Sequence, residues 1–199
     1  MDEYLYISEK NLLTAKKIIE DLNLENIFME NNYKANLIGS VATNLLMDNL
    51  DIDFHVYPNI FSIEDIYKII GKISLNKNIT RTSCLHNDLE TEYRTLDWHI
   101  RYNDEENNSW RIDLIFFKEN SPYIGKAEKV VEIINSKITE THKKSILEIK
   151  YNAKKLNIEF KGIEIYKAVM ECGIKTINEF MDWKKDKEYN LINFWEINL

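Results

Sequence analysis

Three aspartates are the residues whose types and spacing could do chemistry in this 199-residue chain. Asp51 and Asp53 lie in Asp-Ile-Asp-Phe-His-Val-Tyr57, where polar and apolar residues alternate, and this alternation predicts a strand. Residues two apart in a strand point to one side, so the two carboxylates are held together. Carboxylates that close repel unless a cation lies between them or one takes a proton. Asp113 is a lone acid in a second strand candidate, Trp110-Arg-Ile-Asp-Leu-Ile-Phe-Phe117. A charge amid apolar residues needs a partner, and a divalent metal shared with Asp51 and Asp53 would supply it. Upstream, Leu37-Ile38 reads as the end of a short buried strand and Gly39-Ser40 as a tight turn. Residues 41–47 then read as a helix with Ser40 as its cap.

Singly, these signals are ordinary. Ser before a helix is commonly just a cap, and a calcium loop would need a Gly and further oxygen ligands that residues 54–59 lack. Together, Gly39-Ser40, Asp51-x-Asp53 and the later Asp113 resemble the nucleotidyltransferase superfamily of DNA polymerase beta, over about half of the chain. The resemblance implies that Ser40 and the backbone near Gly39 hold the phosphates of an NTP such as ATP. It implies that Asp51 and Asp53 bind two Mg2+ (or Mn2+) and that Asp113 completes the metal site. The implied reaction moves a nucleoside monophosphate to a hydroxyl and releases pyrophosphate. The implied fold is α+β, a nucleotidyltransferase-type mixed sheet flanked by helices.

Several elements must position these groups. Ser8 is placed to cap a helix reaching residue 22, and a second helical segment covers 25–31. Ser62-Ile-Glu-Asp65 resembles a capping box, followed at helical spacing by Ile66, Tyr67, Ile70 and Ile73. Residues 90–117 predict a long hairpin that turns at 103–108. Thr95, Asp97, His99 and Arg101 share one face of its first strand. Whether that face joins Asp113 depends on register, because a slip of one residue reverses it. After Ser121-Pro122 the pattern is helical, over 126–136, 141–156, 162–172 (with Gly173 as C-cap) and 176–183 (opened by the Thr176/Glu179 box). An apolar tail at 191–195 is expected to dock. The division expected is a nucleotidyltransferase-like domain at 1–120 and a C-terminal helical lobe at 121–199.

The remaining polar residues read two ways. His55 shares the face of Asp51 and Asp53 and either touches substrate or is a structural histidine. Asp97, His99 and Arg101 either line an acceptor pocket or form an exposed polar face. Lys150 and Tyr151 fall on a helix where related enzymes often place nucleotide contacts, with a solvated helix face as the plainer reading. Trp183 and Trp195 read as core anchors. A net charge of -7 argues against an extended nucleic-acid footprint and suits a small cationic acceptor. Alternatives are a toxin-type enzyme that modifies protein or RNA, and a nucleotide-binding regulator without catalysis. Cys84 and Cys172 form no metal-ligand or disulfide pattern, and no apolar run reaches the ~20 residues of a membrane span. With an N-terminus lacking a signal-peptide core, the expectation is a cytoplasmic protein. The wealth of Asn, Ile and Lys suggests an AT-rich bacterial genome.

Overall fold

The apolar periodicity of the first thirty residues folds as two helices, α1 (Glu3–Asp21) and α2 (Leu24–Glu30), in the computed structural model, which describes residues 2–87, 91 and 93–185. Asn23 separates them in a left-handed conformation, φ 51°. Helix α1 starts well before Ser8, because Asp2 occupies the N-cap position and Glu3 favours the first turn electrostatically. Ser8 therefore does not cap; it is buried in the helix interior beside the core stripe of Leu12, Ala15, Ile18 and Ile19.

Next come β1 (Tyr33–Ile38), α3 (Gly39–Ala42), β2 (Asp51–Pro58), α4 (Ile63–Ile73), β3 (Ile79–Asn87), β4 (Thr95–Asn103) and β5 (Ser109–Phe117). Helix α3 is a single turn, not the helix expected over 41–47. The Thr43 hydroxyl donates to the Gly39 carbonyl (3.1 Å), and Asn44 turns left-handed at φ 55°, which together stop it. Ser62 caps α4 as its sequence implies, accepting from the Asp65 amide at 3.2 Å. The strands form one mixed sheet in the order β1-β2-β5-β4-β3. Only β2 and β5 run parallel; the other pairs are antiparallel. β3 was not expected from sequence. It is an edge strand with little burial, so it lacks a clean apolar alternation.

Alternation sorts the sheet into two faces. One buries Ile52, Phe54 and Val56 of β2 with Ile112, Leu114 and Phe116 of β5 and Leu96, Trp98 and Ile100 of β4. Helices α1, α2 and α4 cover this face, α4 supplying Ile66, Ile69, Ile70 and Ile73. At about 2 kcal/mol per buried isoleucine, that stripe is ample reason for a short helix to dock. The other face carries the aspartates. Helices α5 (Lys126–Lys137), α6 (Glu140–Lys155), α7 (Gly162–Cys172) and α8 (Ile177–Lys185) build a second apolar cluster beside it, around Leu45, Ile134, Ile146, Ile149, Ile165 and Phe180. Trp183 stacks on Phe180 as an anchor of that cluster. The tail at 191–195, with Trp195, lies outside the described residues.

Candidate active site

Register brings the three acids together. Asp53 of β2 pairs with Asp113 of β5, and Asp113 pairs in turn with His99 of β4. Residues paired directly across strands face the same side. The hairpin register that sequence left open therefore puts Thr95, Asp97, His99 and Arg101 on the acid face. His99 Nδ1 lies 2.8 Å from Asp113 Oδ1. Arg111, two residues before Asp113, holds Asp113 Oδ2 through Nε at 3.0 Å and reaches Asp51 Oδ2 at 3.6 Å. Burial, together with the charges of Asp51 and Asp113, pushes the Asp53 carboxyl up to about 7, against the opposing pull of Arg111 and Lys150.

Gly39 is fixed by this geometry. Its φ is +69°, and a Cβ there would stand 2.4 Å from Asp53 Oδ2. Any side chain at 39 would displace the acid. Ser40 lines the same cleft. It does not cap α3: Ile38 occupies the N-cap position, with no side-chain bond to the helix.

The cleft beside the acids has a volume of about 410 Å³, within the usual range for small-ligand sites. Its polar end is Ser40, Asp51 and Asp53; its apolar wall is Ala127, Val130, Ile134 and Ile163. A larger groove of about 680 Å³ runs between α1 and the β4–β5 turn, but it holds none of the three acids.

Comparison with known proteins was made at the level of both sequence and structure. No protein-family model and no curated protein matches the chain. Solved structures do match. A Cid1 poly(U) polymerase mutant bound to MgATP superposes with a TM-score of 0.61 and 16% identity, covering 82% of this chain and 50% of that one. A cytoplasmic RNA terminal U-transferase gives 0.55 at 17% identity, covering 78% and 45%. The GLD-2–GLD-3 non-canonical poly(A) polymerase complex gives 0.54 at 12% identity, covering 89% and 61%. This is a nucleotidyltransferase fold.

The chain spans about half the length of the first of these neighbours, and at such identities the likeness is one of fold. Within the nucleotidyltransferase fold, the residues themselves fit divalent metal. Asp51 Oδ1 is buried with no hydrogen-bond partner, Asp53 is raised by burial and further by the charges of Asp51 and Asp113, and the Arg111 guanidinium stands in as a cation. As the side chains stand, no three His, Cys, Asp or Glu groups among the described residues are gathered tightly enough to hold an ion. Arg111 lies between Asp51 and Asp113, in contact with both.

Lys150 does not lie on a solvated helix face, as the plainer sequence reading had it. Only 3% exposed, it donates to the Leu45 carbonyl (2.7 Å) and the Tyr166 hydroxyl (2.9 Å) and lines the cleft. Its neighbour Tyr151 is a surface residue bonded to Glu3 and Lys155. His55 proves structural. Buried against Phe117 at 4.7 Å between ring centres, it sits by a network in which Tyr57 and Asn36 donate to Glu128 of α5 at 2.5 and 3.0 Å. Asp97 is held by Asn87 at 2.6 Å. Arg111 was missed by the sequence reading, although its place two residues from Asp113 on one strand was signal enough.

Proposed function

We propose that this chain is a metal-dependent nucleotidyltransferase that moves a nucleoside monophosphate from an NTP to an acceptor hydroxyl. The observation that carries the reading is the convergence of Asp51, Asp53 and Asp113 on one sheet face, against a left-handed glycine where a Cβ would meet the Asp53 carboxylate. These acids would hold the metal; when bound, Mg2+ supplies charge neutralisation for the triphosphate and acidifies the acceptor hydroxyl.

The chain's own groups do the rest. Ser40 and Lys150 receive phosphate oxygens at the polar end of the cleft. With a carbonyl and a phenol as hydrogen-bond partners and Asp53 within reach of its charge, Lys150 puts a buried ammonium where a triphosphate would lie. The one-turn α3 sums few peptide dipoles, so phosphate binding rests on these side chains more than on a helix end. Val130, Ile134 and Ile163 offer an apolar wall to the sugar and base. Asp113, held by His99 and Arg111, would be the base that takes the proton of the incoming hydroxyl. The hydroxyl oxygen bonds to the α-phosphorus as the bond to the β-phosphate oxygen breaks, and pyrophosphate leaves. Rate comes from positioning and preorganised charge.

Two acceptor classes fit. A small cationic molecule suits the net charge of -7. An RNA end suits the neighbours named for poly(U), poly(A) and terminal U addition. The test is a screen of labelled NTPs with Mg2+ or Mn2+ over both acceptor classes, following pyrophosphate release. Asp113→Asn is expected to lower turnover at least ~10²-fold, the scale of losing a general base, with NTP affinity nearly unchanged. Wild-type protein that binds NTP but turns over with no acceptor, with Asp113→Asn only more stable, would instead favour a nucleotide-binding regulator.

A further inference from the structure

Arginine is rare here: only four of the 26 lysines and arginines are Arg, at positions 81, 94, 101 and 111. Three of the four stand in one row. Arg81 of β3 pairs directly with Arg101 of β4, and Arg101 pairs with Arg111 of β5. The contacts of Arg111 to Asp51 and Asp113 identify the side they face as the acid face. All three are exposed.

Like charges directly opposite on neighbouring strands destabilise a sheet. Nearby acids do not relieve this row beyond Arg111. At the hairpin turn, Asp104 accepts from Trp110 Nε1 (2.9 Å) and Asn108 Nδ2 (3.0 Å), while Glu106 pairs with Lys10 of α1 at 2.7 Å. Among the described residues neither Arg81 nor Arg101 forms an ion pair. An acidic chain that uses lysine at 22 of its 26 basic positions thus keeps three arginines in one row leading out from its acids. Guanidinium differs from ammonium in gripping phosphate through two parallel N–H donors.

We propose that Arg111, Arg101 and Arg81 form a phosphate track that binds the backbone of a single-stranded nucleic-acid acceptor, with its terminal hydroxyl at Asp113. This inference rests on the transferase reading above and names its acceptor class. At a strand spacing of about 4.8 Å the row spans roughly 10 Å, from the acids to the sheet edge. That length matches successive phosphates rather than one. The row also sets direction. Asp113 at its inner end is where the transferase reading puts the acceptor hydroxyl, so the backbone runs outward over β4 and β3. A small acceptor would reach Arg111 and leave Arg101 and Arg81 without purpose. The whole-chain charge does not oppose this, because binding depends on local charge.

The test is fluorescence anisotropy of the full chain with a short single-stranded oligoribonucleotide over a salt series, and in parallel with poly-glutamate. Wild type is expected to bind the oligonucleotide with a log–log salt slope of about -2, at roughly 0.7 per phosphate contact. Arg81→Gln with Arg101→Gln is expected to weaken it at least tenfold and to flatten the slope by about 1.4. Mn2+ and NTP affinity should be unchanged, since neither residue touches the acids. Melting curves verify folding, and the two single substitutions give the same readout should the double variant fold poorly. No oligonucleotide binding, equal binding by the variants, or arginine-dependent binding of poly-glutamate alone would each overturn the track. Arginine-dependent oligonucleotide binding without NTP turnover would leave the track standing and remove the transferase reading. Turnover on small acceptors, indifferent to both substitutions, would do the reverse.

Discussion

At the scale of single residues, the acid cluster makes its own tests. Asp53→Asn keeps size and removes charge, so Mn2+ binding should be lost with the fold intact. Gly39→Ala should do nearly the same from across the strand, because its Cβ would meet Asp53 Oδ2 at 2.4 Å. Isothermal titration with Mn2+ and parallel melting check both; unchanged binding in either would remove the metal assignment. Proton and metal compete for Asp53, whose carboxyl is raised from 3.8 to about 7. Mn2+ affinity should therefore climb as pH rises toward about 7 and level off above it. In the metal-free protein the sign for stability is opposite. Between about 4 and 7 the folded state holds a proton that the unfolded state has released, so this group's contribution falls as pH rises through that window. Arg111 occupies the space between Asp51 and Asp113. Arg111→Gln should thus tighten Mn2+ binding several-fold in the absence of nucleotide, and weaker binding would show that the guanidinium supports the metal rather than displacing it.

At the scale of elements, helix α5 is keyed to the sheet by one carboxylate. Burial alone would raise Glu128, yet His55, Tyr57 and Asn36 outweigh it and hold the carboxyl at about 2. Tyr57 is pushed upward by burial and by the same carboxylate. A depressed carboxylate stabilises fully above its unfolded value of 4.5, and that stability is lost as pH falls toward 2. Glu128→Gln should lower stability by about 1–3 kcal/mol, the range for disturbing a buried charge-assisted hydrogen bond, and should flatten the acid limb of the pH–stability curve. An unchanged acid limb in denaturant titrations would mean that the network contributes nothing to docking. Because α5 also forms a wall of the cleft, nucleotide affinity should fall along with stability.

At the scale of the whole molecule, Lys150 ties the helical cluster together where that cluster meets the cleft. Its ammonium bonds Leu45 beyond α3 and Tyr166 on α7, at the cleft between sheet and helices. A residue kept there for structure and one kept for phosphate behave differently on replacement. Lys150→Met removes a buried charge and retains the stem but leaves the Leu45 carbonyl and Tyr166 hydroxyl without their donor, so the melting temperature should fall only modestly. NTP affinity should drop at least tenfold, by about 1.4 kcal/mol or more, the size of a lost charge-assisted bond. Equal NTP binding with a large drop in melting temperature would make Lys150 a structural strut.

The sequence by itself determined strands β2, β4 and β5 and the placing of three acids on two of them. Period-two alternation around Asp51, Asp53 and Asp113, the turn at Gly39 and the capping boxes at Ser62 and Thr176 are local signals, because backbone geometry repeats every two or 3.6 residues. The same local reading extended α3 too far, since it could not weigh the Thr43 back-bond and the left-handed Asn44. It also passed over β3, whose exposure erases alternation. Only the tertiary structure decided what lies opposite what. Register set His99 against Asp113 and aligned Arg81, Arg101 and Arg111, and helix packing turned Lys150 from a surface position into a buried one. These are contacts between residues far apart in the chain, fixed by which faces are buried together, and no local period encodes them.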